Sequence, residues 1–143
     1  MKKILLTIMA IATLFACKSD DEINQNNPNY PNAFVQLSLN LNLPEYNNLR
    51  FPGGSFITTT QGTKGVVVYN VNNDLYTAFE LTDPNHPPST CSRMTLNGII
   101  TSCSCGDGNT YDVVTGSHQT DENLFPMTQY RIVKNGNTLR ITN

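Results

Sequence analysis

The sequence predicts an all-β domain of short antiparallel strands, a β-sandwich or small barrel, and three observations carry that prediction. Val35, Leu37, Leu39, Leu41 and Leu43 alternate with Gln36, Ser38, Asn40 and Asn42, and a period of two is the mark of a strand with one dry and one wet face. Asn135-Gly136 lies between two apolar runs, and a pair that tolerates positive φ is the strongest short signal of a β-hairpin. No stretch sustains the 3.6-residue period of an amphipathic helix.

The elements follow in order. Pro44 ends the alternating run of residues 35–43, because proline brings no amide to a ladder. Phe51-Pro52-Gly53-Gly54 reads as a turn, and residues 55–60 as a second strand. Residues 66–69, Val-Val-Val-Tyr, form a continuous apolar run, which suits a strand buried on both faces. Residues 70–73 turn the chain, and residues 75–79 return it as a hairpin partner. Residues 110–114 are a further strand closed by Thr115-Gly116, and residues 130–133 and 138–142 flank Asn135-Gly136. Two polar stretches, residues 82–91 and 102–109, interrupt the strands as loops. Residues 33–143 are enough for one small domain with one core.

The first 32 residues are of another kind. Met1-Lys2-Lys3 is basic, and residues 4–16 are apolar and uncharged, too short for the roughly 20 residues of a membrane-spanning helix but suited to a secretory signal. The run ends Leu14-Phe15-Ala16-Cys17, which resembles the lipobox of bacterial lipoproteins. That resemblance implies removal of residues 1–16, acylation of Cys17 and anchoring in a lipid bilayer, since several acyl chains hold where one does not. Lys18-Ser19-Asp20-Asp21-Glu22 resembles the acidic signal that sends some Gram-negative lipoproteins to the cell surface. The expected location is the cell envelope, at the outer membrane. The rest of residues 17–32, rich in Asn with Pro28 and Pro31, reads as a flexible tether. Without Lys2 and Lys3, seven of the nine basic residues face eleven acidic ones. A nucleic-acid partner would need a basic stripe, so none is expected.

Catalytic signals are thin. The two histidines, His86 and His118, leave few choices of general base, and no Ser-His-acid spacing is recognisable. Asp83, Asp107, Asp112, Asp121 and Glu122 gather in or after the loops and form a candidate set for a hard cation, although Gly106-Asp107-Gly108-Asn109 also reads as a plain tight turn.

The loops and their flanks resemble Rieske iron–sulfur domains over roughly residues 49–143. "GVVVYNVNNDLYTAFELTDPNH" is similar to the strand-turn-strand entering the first cluster loop. "CSCGDGNTYDVVTG" is similar to the second loop and its exit, with Tyr111-Asp112 and Thr115-Gly116 in place, and "FPMTQYRIVKNGNTLRI" to the closing hairpin. The resemblance implies a Rieske-like fold and, in the family, a [2Fe-2S] cluster held by two cysteines and two histidines. Carried onto this chain, the first Cys-x-His falls on Asp83 and Asn85, while Cys103 matches the second-loop cysteine and the second histidine falls on Gly106 or, with one insertion, Asp107. One ligand position of four is kept, so these read as degenerate cluster positions and no cofactor is expected. The alternative is a [2Fe-2S] electron-transfer protein with an unusual ligand set.

Four cysteines are present, and with Cys17 acylated three remain, which makes one disulfide and one free thiol the expectation. The branch of the family found in cytochrome complexes implies that Cys91 pairs with Cys105, joining the two loops; pairing of Cys91 with Cys103 is the competitor. As an alternative, His86, Cys91, Cys103 and Cys105 would offer three sulfurs and one imidazole for zinc, against which Cys-x-Cys rarely gives one tetrahedral ion two ligands without strain. Together these readings anticipate a non-enzymatic binding or structural module, tethered to the bilayer through Cys17 and meeting a protein partner that the sequence does not identify.

Overall fold

The computed structural model describes residues 27–143; the expected signal segment, Cys17 and the acidic stretch lie outside the described residues. Among the described residues, nine strands form three small antiparallel sheets: β1 Gln36–Asn40, β2 Ser55–Thr58, β3 Val66–Asn70, β4 Tyr76–Glu80, β5 Thr95–Asn97, β6 Ile100–Ser102, β7 Thr110–Asp112, β8 Arg131–Asn135 and β9 Thr138–Thr142. The sheets run β1-β9-β8, β2-β3-β4 and β5-β6-β7. The all-β prediction holds.

The middle sheet is the shared layer. Every residue of β3 and β4 is buried, and their two faces serve two cores. Val66, Val68, Tyr76 and Ala78 share a core with Leu39, Leu139 and Ile141 of the first sheet and with Leu41 just beyond β1. Val67, Tyr69 and Phe79 meet Tyr111, Val113 and Met127 on the side of the third sheet. A strand dry on both faces has no polar position to spare, which is why residues 66–69 read as an unbroken apolar run. The first and middle sheets are joined beyond their strands, as the Tyr130 amide donates to the Ala78 carbonyl at 2.9 Å and the Glu80 amide to Thr128 at 2.9 Å.

Glu80, wholly buried at the end of β4, locks the turn before β3. Its carboxylate accepts the amides of Thr63 and Lys64 at 2.9 and 2.8 Å, the Thr82 hydroxyl at 2.9 Å and the Tyr130 hydroxyl at 2.7 Å. A buried carboxylate persists only where donors replace water, and here they come from three separate segments.

The first strand differs from its prediction at one end. It stops at Asn40, whose carbonyl accepts the Leu43 amide at 2.9 Å and whose side chain accepts the Asn42 amide at 3.0 Å. Asparagine turning its side chain onto the following backbone competes with the ladder. Pro44–Arg50 is a 3-10 helix, absent from the prediction, with the proline at its start and only Leu49 buried; so little apolar content carries no periodic signal. The hairpin β5–β6 was also not predicted. Its turn, Gly98-Ile99 with Gly98 at φ 63°, follows Asn97, but three-residue strands give alternation nothing to repeat.

Residues 27–32, assigned to the tether, touch the domain. Asn27 is buried and donates its side-chain amide to the Pro84 carbonyl at 2.9 Å, and Asn29 donates to the same oxygen at 3.2 Å. Polarity suggested solvation, but asparagine amides also saturate loop carbonyls.

Two glycines separate backbone strain from packing. Gly116 has φ 79°, and an added Cβ would lie 2.6 Å from the Phe79 ring; Gly136 has φ 57° with nothing within 4 Å. Gly116→Ala is expected to destabilise by about 3 kcal/mol, from strain and overpacking together. Gly136→Ala should cost about 1 kcal/mol, from strain alone. Urea unfolding of the two variants measures the difference.

Candidate functional site

Two loops meet at one end of the middle and third sheets. The first leaves β4 and is closed across its neck, with the Asp83 amide donating to Ser92 at 2.9 Å and the Met94 amide to Leu81 at 2.8 Å. The second joins β6 to β7 and is closed by the Cys103 amide donating to Asn109 at 2.9 Å. Cys91 and Cys105 form a disulfide between the loops, with Cα atoms 5.0 Å apart. This is the pairing implied by the family resemblance; Cys103 is the free cysteine among the described residues. A bridge with a sequence separation of 14 stabilises by roughly 3 kcal/mol in the chain-entropy account.

Beneath the bridge lies Asp83, which is fully buried. Its Oδ1 accepts the Tyr111 hydroxyl at 2.6 Å and the Asn85 amide at 2.9 Å, and its Oδ2 accepts the Asn109 side-chain amide at 2.9 Å. Burial pushes the Asp83 carboxyl upward, but hydrogen bonds from Tyr111, Asn109, Cys103 and the Asn85 backbone outweigh it and hold the group below the ordinary range. Asp83 is therefore an anion caged by donors from both loops. Tyr111 is held the opposite way: burial raises its phenol, only partly offset by the Asn85 amide, and the Asp83 charge raises it further, so it stays a donor.

Asn85 is equally committed. Its amide nitrogen donates to the Tyr111 hydroxyl at 3.0 Å and the Phe125 carbonyl at 2.8 Å, while its side-chain oxygen accepts the Phe125 amide at 3.0 Å. Behind this network the His118 ring packs edge-on against Tyr111, with centroids 5.0 Å apart. Its Nδ1 accepts the amides of Thr120 and Asp121 at 3.3 and 3.1 Å, so the ring proton sits on Nε2.

Cys103 is half-buried rather than exposed. Its sulfur lies 3.5 Å from Asp107 Oδ2 and accepts the Cys105 amide at 3.4 Å. Burial pushes the thiol up, the hydrogen bond to Asp83 adds to the rise, and the charges of Asp83 and Asp107 reinforce it, to about 12. Burial and Asp83 outweigh the adjacent Asp107 in this.

The proposed metal sets separate in the fold. One ring nitrogen of His86 and the sulfurs of Cys91 and Cys105 lie within 4.8 Å of one another, and Cys103, Cys105 and an Asp107 oxygen form a second such group. With Cys91 and Cys105 bonded to each other, the four-residue set His86, Cys91, Cys103 and Cys105 does not exist as a set of free ligands. The carboxylates Asp83, Asp107, Asp112, Asp121 and Glu122 form no ligand cluster among the described residues. Asp112 and Asp121 accept nearby backbone amides, of Val114 at 2.6 Å and Asn123 at 2.9 Å.

A [2Fe-2S] centre of the family's type needs two thiolates and two imidazoles. At the matching positions stand the caged carboxylate of Asp83, the saturated amide of Asn85, one thiol at Cys103 and Gly106 or the exposed Asp107. These residues do not fit the cluster. The sequence does not single out Asn109 and Tyr111, the donors to Asp83, as a site, although Asn109 at the entry to β7 and Tyr111 within it share a parity that turns both to one side.

No family model matches the chain, and no curated protein sequence matches it. Among solved structures it is similar to a chain of the complex of reduced oxygenase and oxidized ferredoxin in carbazole 1,9a-dioxygenase, at 18% identity over 76% of this chain and 92% of that one, with a TM-score of 0.48. It is similar to the ferredoxin of carbazole 1,9a-dioxygenase from Nocardioides aromaticivorans, at 15% identity over 78% and 95% of the two chains, with a TM-score of 0.45. A third likeness is to a ferredoxin of Sphingomonas yanoikuyae, at 19% identity over 55% and 74%, with a TM-score of 0.40.

The cage makes stability depend on acid. The Asp83 pKa in the fold is below the ordinary aspartate value, so its contribution is complete above that ordinary value and is lost as pH falls through the folded one. The urea midpoint of the wild type should drop on acidification below about pH 4, and that of Asp83→Asn should drop less. At neutral pH Asp83→Ala should cost on the order of 3 kcal/mol, since buried donors lose their acceptor. Cys103, with its thiol pushed up to about 12, should react with iodoacetamide at pH 8 roughly 10³-fold more slowly than an unperturbed thiol, as read by mass spectrometry.

Proposed function

We propose that this chain is a lipoprotein of a Gram-negative cell envelope, anchored to the outer membrane through acylated Cys17, whose Rieske-like domain works without an iron–sulfur cluster. It is a non-enzymatic binding or structural module, with the two loop tips offered to a protein partner. One observation carries the reading: where the family resemblance calls for a thiolate ligand, Asp83 is a buried carboxylate whose charge is met by Tyr111, Asn109 and Asn85. Donors from the protein occupy both oxygens of this carboxylate and do the work that iron would do on a ligand.

The tips suit contact rather than chemistry. Pro87, Pro88 and Thr90 on one loop and Ser104, Gly106, Asp107 and Gly108 on the other are exposed, and the disulfide behind them limits the ordering cost of binding. Anchoring is supported by the lipobox-like Leu14-Phe15-Ala16-Cys17 and the basic start of the chain.

The purified protein is expected to be colourless, with far less than one iron per chain, one disulfide and a thiol at Cys103. A brown anaerobic preparation with stoichiometric iron and acid-labile sulfide would replace this reading with electron transfer. In cells, metabolic labelling with a fatty acid should mark the wild type and be lost in Cys17→Ala, and fractionation should move that variant out of the membrane pellet.

A further inference from the structure

The bridge that joins the loops also hides a set of metal donors. Cys91 Sγ, Cys105 Sγ and a ring nitrogen of His86 lie within 4.8 Å of one another, and Cys103 Sγ lies within the same distance of Cys105 Sγ. His86 Nδ1 is 2.8 Å from the Pro87 carbonyl oxygen. That oxygen can only accept, so in the neutral ring Nδ1 carries the proton and Nε2 keeps the lone pair. A backbone carbonyl holding one imidazole nitrogen so that the other can bind is the usual support of a metal-ligating histidine.

We propose that reduction of the Cys91–Cys105 bridge opens a thiolate–imidazole site for Zn²⁺ at the loop tips, with His86, Cys91 and Cys105 as ligands and Cys103 as the fourth. This goes beyond the cluster-free module proposed above and uses only one of the former cluster positions. A phosphine or dithiol reductant supplies two electrons and is itself oxidised; the S–S bond breaks, and each sulfur takes up one proton. On binding, the three thiols release their protons to solvent and form bonds to the cation, which keeps its oxidation state.

The geometry is close to what the ion needs. Zinc bonds of about 2.3 Å to sulfur and about 2.0–2.1 Å to nitrogen place tetrahedral ligand atoms roughly 3.5–3.8 Å apart. The two bridged sulfurs must separate, the His86 nitrogen must close on them by about 1 Å at most, and Cys103, which stands within 4.8 Å of Cys105 but outside the His86–Cys91–Cys105 group, must swing in with its loop. The second loop has room to adjust, since a Cβ added at Gly106 or Gly108 would meet nothing within 4 Å. The carboxylates of Asp83 and Asp107, which oppose a bare thiolate at Cys103, favour one that is bound to a dication. Under oxidising conditions the bridge holds the site shut.

The test uses the full chain carrying Cys17→Ser, which removes the remaining thiol, titrated anaerobically with Co²⁺ as a coloured stand-in for Zn²⁺. The phosphine-reduced protein is expected to bind one Co²⁺ with intense tetrahedral d–d bands and a thiolate charge-transfer band, both erased by Zn²⁺. The oxidised protein should show neither. His86→Ala and Cys103→Ser, checked by circular dichroism in the oxidised form, should each weaken binding by about tenfold or more. The proposal is overturned if the reduced protein fails to bind Co²⁺, if the oxidised protein binds it equally, or if His86→Ala leaves the affinity unchanged. Unfolding on reduction that Zn²⁺ does not reverse overturns it as well.

Discussion

A carboxylate taken out of water must be met by donors, and the loop end of this protein is arranged around that requirement. Asp83 is wholly buried, and its partners come from its own loop through Asn85 and from the second loop and β7 through Asn109 and Tyr111. Each partner is held in turn. Asn85 is fixed to Phe125, and Tyr111 is packed against His118. The two loops therefore cannot separate without stranding an anion, and the disulfide above them adds a covalent limit to the same motion. Because the network is saturated, it specifies one geometry rather than merely adding attraction.

The placement of that anion follows from the middle sheet. β3 and β4 are dry on both faces, so charge can enter only where the strand ends, and two acidic residues stand there. Glu80 gathers the turn before β3, Thr82 and Tyr130. Asp83, three residues on, gathers the two loops. The first carboxylate ties the middle sheet to the first sheet, and the second ties it to the third. Both use neutral donors, which suits a chain whose eleven acidic residues outnumber its nine basic ones.

What could be read in the sequence was what repeats. The alternation from Val35 to Leu41 appears in the fold as buried and exposed faces. The continuous run at residues 66–69 became a strand buried on both sides, and Asn135-Gly136 closes the hairpin β8–β9. The features missed are those with no period. The 3-10 helix buries only Leu49, and β5 and β6 are three residues each. At the site, resemblance located Asp83, Asn85, Cys103 and the Cys91–Cys105 pair. It could not show what Asp83 is for, because its partners Asn109 and Tyr111 lie 26 and 28 residues away. A hydrogen-bond acceptor in a sequence carries no mark of who will donate to it; only the fold supplies that.

The same charges explain how a free thiol coexists with a nearby disulfide. Exchange requires a thiolate to attack a bridge sulfur, and its rate follows the thiolate fraction. Cys103 Sγ lies within 4.8 Å of Cys105 Sγ, near enough that an ordinary thiolate could attack that sulfur, form a Cys103–Cys105 bond and release Cys91. Burial and the carboxylates of Asp83 and Asp107 hold it protonated instead, at about 12. Asp83 thus acts twice. As an acceptor it joins the loops, and as a charge it disfavours the thiolate that could rearrange their bridge. A cluster ligand would need the reverse environment, one that draws the proton off sulfur. The carboxylate at position 83 is therefore more than an acceptor, because it also keeps Cys103 from acting as a free thiolate beside the bridge.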